Sequence, residues 1–539
     1  MANSNDAKSK DDCMLLALPR ELRDNIYKHY LQVEGGYVYD FESGKLGCTT
    51  PSGGRTPIDL NLMLSCRQIA AEMQGLALNT NTITFSSCSP AAKQRNIAYC
   101  QVTSYGWWNR TFSCLWEEDS RNPSNQDNDE WWPVPNFDES VCRTIAEAFP
   151  KFEPHLRTIQ FMASDPHHPG DRFDDMTDEW IDFPGEQVHK LLFMPAYWGE
   201  VPSLQRQAVV ETLKLISSRD CWSQYARSDT DEEGEFELPT KDRVGDLVRY
   251  HSLFKPWTIP EDDARCDISA DTRHPAHPRP KIMTAEEYTR ERHGISTNFA
   301  KDRQYFLSAA SIAIEFLERI PVQRRNIRYI ILDEKDPRVN RPECHGLGLI
   351  DFCKENPNLR IERRANLWRT IWPLKSTSYQ PFSGWDRDEW DRGGYHEEDV
   401  TERVARWIME ALALVPAGMP PGSFTLVLDG NPAPEHCAQL FQRVQRDAAW
   451  QIALGESFNR GHLPKTAYHD RRRIWGYFYE GFPQALREIS TGTCRAVRAN
   501  FDVGEPWDAE VMIEAHREWT LSDWAQKWFF GTPILGQLI

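Results

Sequence analysis

The chain is 539 residues long, with 62 Lys and Arg against 80 Asp and Glu, a net charge of −18, and 13 cysteines. Apolar residues make up 40% of it and aromatics 12%, far from the low-hydrophobicity composition of a disordered chain and enough for one large body or several domains. The acidic balance argues against a nucleic-acid binder, which shows phosphates a basic face, and against polybasic attachment to anionic lipid. No apolar run approaches the ~18 residues of a membrane span.

Compartment follows from the same inventory. No two cysteines form a C-x-x-C pair, and their irregular spacing is neither a disulfide framework nor a zinc knuckle. Residues 1–12 are polar and read as a disordered tail, and the apolar stretch Met14–Leu18 is too short for a secretory h-region. The expected setting is intracellular, cytoplasmic or nuclear, with no membrane and no nucleic acid as partner.

The first predicted helix runs over Arg20–Leu31 behind Pro19, whose fixed φ suits a first turn. Leu22, Ile26 and Tyr30 recur every four residues on one face, with Arg23, Asp24 and Lys28 assigned to the other. Gly35-Gly36 ends the element, Tyr37–Tyr39 reads as a short strand, and Ser43–Pro57 as a loop. A second helix is expected to start from Asp59 as N-cap, with the stripe Leu62, Cys66, Ile69, Met73, Leu76 and Ala77. Asn79–Asn81 stops it, and Thr82–Phe85 alternates like a strand.

Beyond the polar loop Glu117–Asn136, a unit of helix, proline and strand recurs. Asp138–Phe149 precedes the strand Leu156–Met162, Phe299–Ile320 precedes Ile327–Leu332, and Val400–Val415 precedes Phe424–Leu428; a shorter copy is Leu347–Lys354 before Leu359–Glu362. The three full strands end near Asp165, Asp333 and Asp429. Helices alternating with strands predict a sheet with helices packed on it, without the fixed period of a solenoid. Ser228–Lys241, Glu261–Pro280 and Thr377–Glu398 read as insertions, and Glu435–Leu454, Tyr477–Ile489 and Ala509–Phe530 as closing helices. The fold class is thus mixed α and β: an N-terminal helical segment with a small hairpin over 13–90, packed on or tethered to an insertion-rich α/β body over 137–539.

Chemistry is sparse in this pattern. There is no G-x-x-x-x-G-K-[ST] loop, and Gly346-Leu347-Gly348 lacks the third glycine of a dinucleotide fingerprint. His167-His168 and His274/His277 lack the i, i+4 spacing that lets two imidazoles share an ion, so no metal or cofactor is expected. Cys344-His345 is the one adjacent thiol and imidazole, but it sits in an expected turn, and a working pair is assembled from distant segments. The acidic runs Asp171–Glu179 and Asp231–Glu237 read as solvated loops. Trp107-Trp108 and Trp131-Trp132 lie in irregular segments where one ring of each pair suits a partner contact. Trp519, Trp524 and Trp528 near the end read as core.

Leu15-Leu16-Ala17-Leu18-Pro19-Arg20-Glu21-Leu22-Arg23, followed by Leu64-Ser65-Cys66-Arg67-Gln68 and the strand to Phe85, resembles the F-box-like proteins of filamentous fungi over residues 13–90. Arg341–Trp368 is similar to the same group, without a task attached. The resemblance implies a non-enzymatic adaptor: Leu18, Pro19, Leu22 and Ile26, with Tyr30 at the edge, would dock on the Skp adaptor of a cullin–RING ubiquitin ligase while the body holds an unknown protein substrate. The insertion Val33–Pro57 departs from a compact F-box, and pairing of Tyr37–Tyr39 with Ile83–Phe85 would bury the docking face. The alternatives are a scaffold protein whose first helices are internal core, and an enzyme whose site gathers Cys344, His345, Asp333 and Asp429 from separate loops.

Overall fold

The computed structural model describes residues 14–49, 54–94, 96–97, 116–118, 133–135, 139–153, 201–218, 248, 255–259, 305–336, 339–372, 397–464 and 476–530. The 1–12 tail, the strand Leu156–Met162, Asp165, the two loop His pairs, the acidic runs and both Trp-Trp pairs lie outside these residues, as do the insertions at Ser228–Lys241 and Glu261–Pro280 and most of Thr377–Glu398.

Eight strands form one sheet. In chain order they are β1 (Tyr37–Asp40), β2 (Lys45–Thr49), β3 (Arg55–Pro57), β4 (Thr82–Ser86), β7 (Tyr329–Glu334), β8 (Arg360–Asn366), β9 (Phe424–Asp429) and β10 (Val497–Ala499). Short β5 (Trp116–Glu118) and β6 (Pro133–Pro135) pair with each other at the two ends of the stretch Glu117–Asn136 expected as a loop. The order across the main sheet is β10-β9-β8-β7-β4-β1-β2-β3; the run from β10 to β1 is parallel, and β2 and β3 extend it antiparallel. The loop expected over Ser43–Pro57 therefore contains two strands. Its Gly, Pro and Thr residues read as turn material, yet β3 is a fully exposed edge, where a proline interrupts no ladder.

Each new parallel strand adds to the same edge of the one before it. Among the described strands this one-way order has no switch point of the kind that opens a ligand crevice in doubly wound sheets. Beyond the N-terminal segment the helices include α4 (Glu139–Ala148), α5 (Pro202–Ser217), α6 (Ala309–Arg319), α8 (Glu397–Ala413), α9 (Pro434–Asn459), α10 (Phe482–Ser490), α11 (Ala509–Ala515) and α12 (Leu521–Phe530), and α6 and α8 each precede a strand as expected. Helix α6 starts at Ala309 and not at Phe299, because Ser308 caps it by accepting from the Ser311 N–H at 2.9 Å. Leu347–Lys354 divides into a 3-10 stretch, Pro342–Leu349, and α7 (Ile350–Glu355). Ala509–Phe530 breaks into two helices, with Asp508 and Asp523 making the capping contacts.

Alternation along the strands separates two faces. Tyr39, Ile83, Phe85, Ile330, Leu332, Ile361, Ala365, Leu426 and Leu428 lie in the core. Phe316 of α6 packs on Tyr39 and Phe85 with ring centroids 5.1 and 5.3 Å away. Arg363 of β8 also points inward, pairing with Glu334 at 2.8 Å and lying over the Trp407 ring of α8 at 4.7 Å. The opposite face carries Thr82, Thr84, Tyr329, Ile331, Arg360, Glu362, Arg364 and Arg498, half-buried or exposed.

The N-terminal segment is built into this sheet. Tyr37 registers with Ile83 and Val38 with Thr84, the pairing anticipated from the sequence, and β4 in turn runs beside β7 from Thr82↔Tyr329 to Ser86↔Asp333. A close approach at Gly36 makes this possible: its φ is +72°, and a Cβ there would sit 2.3 Å from the Thr82 carbonyl oxygen.

Candidate functional site

Helix α1 spans Arg20–Leu31, as the periodicity predicts. Pro19 lies just outside the first turn with extended ψ, and its carbonyl accepts from the Leu22 and Arg23 N–H groups at 3.1 and 3.2 Å. The expected second helix is two: α2 (Arg67–Met73) and α3 (Leu76–Thr80), separated at Gly75 with φ +77°. Asp59 is not its N-cap. The Cys66 sulfur takes that place, 3.5 Å from the Ile69 nitrogen, while Asp59 closes a tight turn by accepting from Asn61 N–H at 3.0 Å. The apolar stripe from Leu62 to Ala77 is real but passes through a turn before it becomes helical.

A small core of its own holds this region. Tyr27 and Leu31 of α1 meet Ile69 and Met73 of α2, flanked by Leu15, Leu16, Leu62, Met63 and Leu76. The buried stripe of α1 is therefore Arg23, Tyr27 and Leu31, one residue later than the stripe Leu22, Ile26 and Tyr30. Arg23, expected with Asp24 and Lys28 on the face opposite the apolar stripe, is buried. It is turned inward because Glu72 waits there: Arg23 Nε and Nη2 donate to the two Glu72 carboxylate oxygens at 2.9 and 2.7 Å, and Tyr27 Oη donates to Glu72 at 2.8 Å. A further Arg23 nitrogen reaches the Leu16 and Leu18 carbonyls, closing the turn before the helix. The bond from Arg23, joined by those from Gln68 and Tyr27, holds the Glu72 carboxyl down at about 2 against the cost of burial. At the other end, Asn81 donates to the Leu31 and Ala77 carbonyls at 2.8 and 3.0 Å and accepts from Val33 N–H at 2.8 Å, tying α1 to the start of β4.

With Arg23, Tyr27 and Leu31 fixed inward, α1 presents its Leu22, Ile26 and Tyr30 side to solvent. Leu22 is 50% exposed, Ile26 40% and Tyr30 36%. Pro19 is exposed and Leu18 half-buried. The pairing of β1 with β4 does not cover this stripe. Tyr30 Oη accepts from Leu62 N–H at 3.3 Å, which brings the turn Leu60–Ser65 to the end of the stripe. That turn adds exposed Leu60 and Leu64, and Met14, at the start of the short helix Met14–Ala17, is exposed as well. Six of the eleven exposed large apolar side chains among the described residues thus fall within 14–64, so exposed grease is concentrated on this part of the molecule. Sequence reasoning missed Met14, Leu60 and Leu64: Leu60 and Leu64 lie off the expected stripe, and the turn over Leu60–Ser65 that sets their direction falls where helix is expected.

The other candidate residues do not come together. His345 is buried in the 3-10 stretch; its Nε2 donates to the Asn340 carbonyl at 2.8 Å, which leaves Nδ1 as acceptor toward the Ser308 and Ser311 hydroxyls at 2.7 and 3.2 Å. Burial and the nearby Arg363 guanidinium press its pKa down to about 3, so the imidazole is neutral. Cys344 is buried beside it, and burial pushes its thiol up to about 12. Asp333 pairs with Lys335 on the opposite face of the sheet. Asp429, two strands away, is raised by burial but more strongly lowered by bonds from the Asn431, Asn500 and Asn366 amides. Among the described residues no group of three or more His, Cys, Asp or Glu is placed to hold a metal ion, and no helix is long and apolar enough to cross a membrane. Comparison with protein-family models, with curated proteins and with solved structures returns no match to this chain.

Proposed function

We propose that this chain is a non-enzymatic protein-interaction adaptor whose first helix docks on another polypeptide, the Skp adaptor of a cullin–RING ligase by the resemblance of residues 13–90. The observation that carries the reading is the outward apolar stripe Leu22, Ile26 and Tyr30 on a helix whose opposite face is pinned by the Arg23–Glu72–Tyr27 network. A helix with four-residue apolar spacing on its open side is the usual form of a helix-in-groove contact. Rigid backing matters as much as grease: a preformed helix loses little conformational entropy on docking. The body, with the opposite face of its sheet open, would carry the substrate.

The experiment is co-purification of the full-length chain with purified Skp adaptor, comparing wild type with Leu22→Asp/Ile26→Asp. Retention by the wild type and loss by the variant, with unchanged circular dichroism, is the expected result. A folded wild type that fails to retain the adaptor removes the ligase reading and leaves the scaffold reading, in which the same face serves a different protein.

A further inference from the structure

We propose that the open face of the sheet over β8–β10 is a docking surface for an acidic polypeptide segment. The inference stands on the sheet alone and does not depend on what α1 binds.

Three arginines project from this face. Arg360 and Arg364 lie on β8 and Arg498 on β10, and all three are exposed. Arg364, Val427 and Arg498 share one register row across β8, β9 and β10. With neighbouring strands about 4.8 Å apart, the two guanidinium stems stand on either side of Val427. Val427 faces the same side yet is only 7% exposed, as expected when arginine stems lie over an apolar neighbour.

The charges on this face do not balance. Glu362 is the one carboxylate serving both Arg364 and Arg498. Arg360 bonds the backbone carbonyls of Pro357 and Leu359 at 2.7 and 3.0 Å, with no carboxylate among the described residues. The nearby acids are committed elsewhere: Asp333 to Lys335, and Asp429 to three asparagines at the strand ends. The inward Arg363 makes the contrast, since it pairs with Glu334 and donates to two backbone carbonyls. A chain of net charge −18 therefore keeps a basic stripe on an open surface.

That setting selects the partner's chemistry. A long polyanion such as nucleic acid must lie along an extended surface, and most of this one repels it. A short acidic segment needs only the stripe. Its carboxylates can take the fork of Arg360 and compete with Glu362 for Arg364 and Arg498, while Tyr329, 55% exposed and in register with Arg360, gives its backbone an aromatic floor.

The test is fluorescence anisotropy of a labelled dodecapeptide rich in Glu, with Lys-rich and Ser/Gly-rich dodecapeptides as controls, titrated with the full-length chain. The proposal requires binding of the acidic peptide alone, weakening with added salt. Arg364→Ala/Arg498→Ala should weaken it about tenfold, the product of losing two exposed charge pairs. Glu362→Gln, which removes the competing carboxylate without removing an arginine, should tighten it. Absence of binding, binding indifferent to both variants, or preference for a dT12 oligonucleotide or phosphatidylserine vesicles over the peptide would each overturn the proposal.

Discussion

Replacing Leu22 and Ile26 by alanine separates the two faces of α1. Together these residues expose about nine-tenths of one side chain's surface. At about 1.5–3 kcal/mol for full burial of an aliphatic side chain, covering that surface on docking is worth about 1.4–2.7 kcal/mol. The double variant should therefore bind the adaptor about 10- to 100-fold more weakly. Its folding should change much less than its affinity for the adaptor, because about half of the surface removed is already in water and neither residue is part of the buried cluster. Met73→Ala is the control: Met73 is 1% exposed against Tyr27 and Leu31, and its truncation should cost about 2–5 kcal/mol. Differential scanning fluorimetry reads the stability effects, and titration of labelled adaptor reads the affinity. A melting shift in Leu22→Ala/Ile26→Ala as large as in Met73→Ala would show that the stripe is internal in the working molecule. Unchanged affinity, with binding intact, would show that the adaptor docks elsewhere.

The interior makes further commitments. Arg363→Met strands the Glu334 carboxylate, 1% exposed, with only the Ala309 and Ala310 N–H groups; denaturant unfolding should show a loss of about 3–5 kcal/mol, and adding Glu334→Leu should recover part of it. His345 is held near 3 when folded and titrates near 6.5 when unfolded, so the stability it confers is complete above pH 6.5 and is lost as pH falls toward 3. Against His345→Gln, in which every other titrating group is shared, the wild type should lose about 2 kcal/mol of relative stability between pH 8 and 5, measured as paired melting curves. Gly35→Ala and Gly36→Ala should differ sharply: both take a positive φ, at about 1–2 kcal/mol, but only Gly36 would drive a Cβ into the Thr82 backbone, so Gly36→Ala alone should expose β1 and β4 to hydrogen exchange.

What the sequence made legible follows from the range of the interactions involved. Helix α1 was readable to the residue because its period, its proline and the Gly35-Gly36 stop are all local. Strands β7 and β9 were readable because an apolar alternation follows each proline break. Phase was harder. Two stripes one residue apart, Leu22/Ile26/Tyr30 and Arg23/Tyr27/Leu31, fit the same helix, and the choice between them rests on Glu72, 49 residues beyond Arg23. The exposed Leu60 and Leu64 depend likewise on Asp59 closing a turn where it could have capped a helix. The arginines of β8 and β10 appear unremarkable in sequence; only the register across β9 brings Arg364 and Arg498 to one carboxylate.

The place of β4 has a consequence for biosynthesis. On the side away from β1, β4 pairs with β7, with Phe85 registered to Leu332, so the ribosome must add nearly half of the chain before β4 meets that neighbour. At about 5–20 residues per second that interval is on the order of 10–50 s, during which the edge of β4 lies unpaired on the nascent chain. Cutting the chain between its first ninety residues and the rest would leave the β4 edge on one fragment and the β7 edge on the other, each open to pairing with other chains.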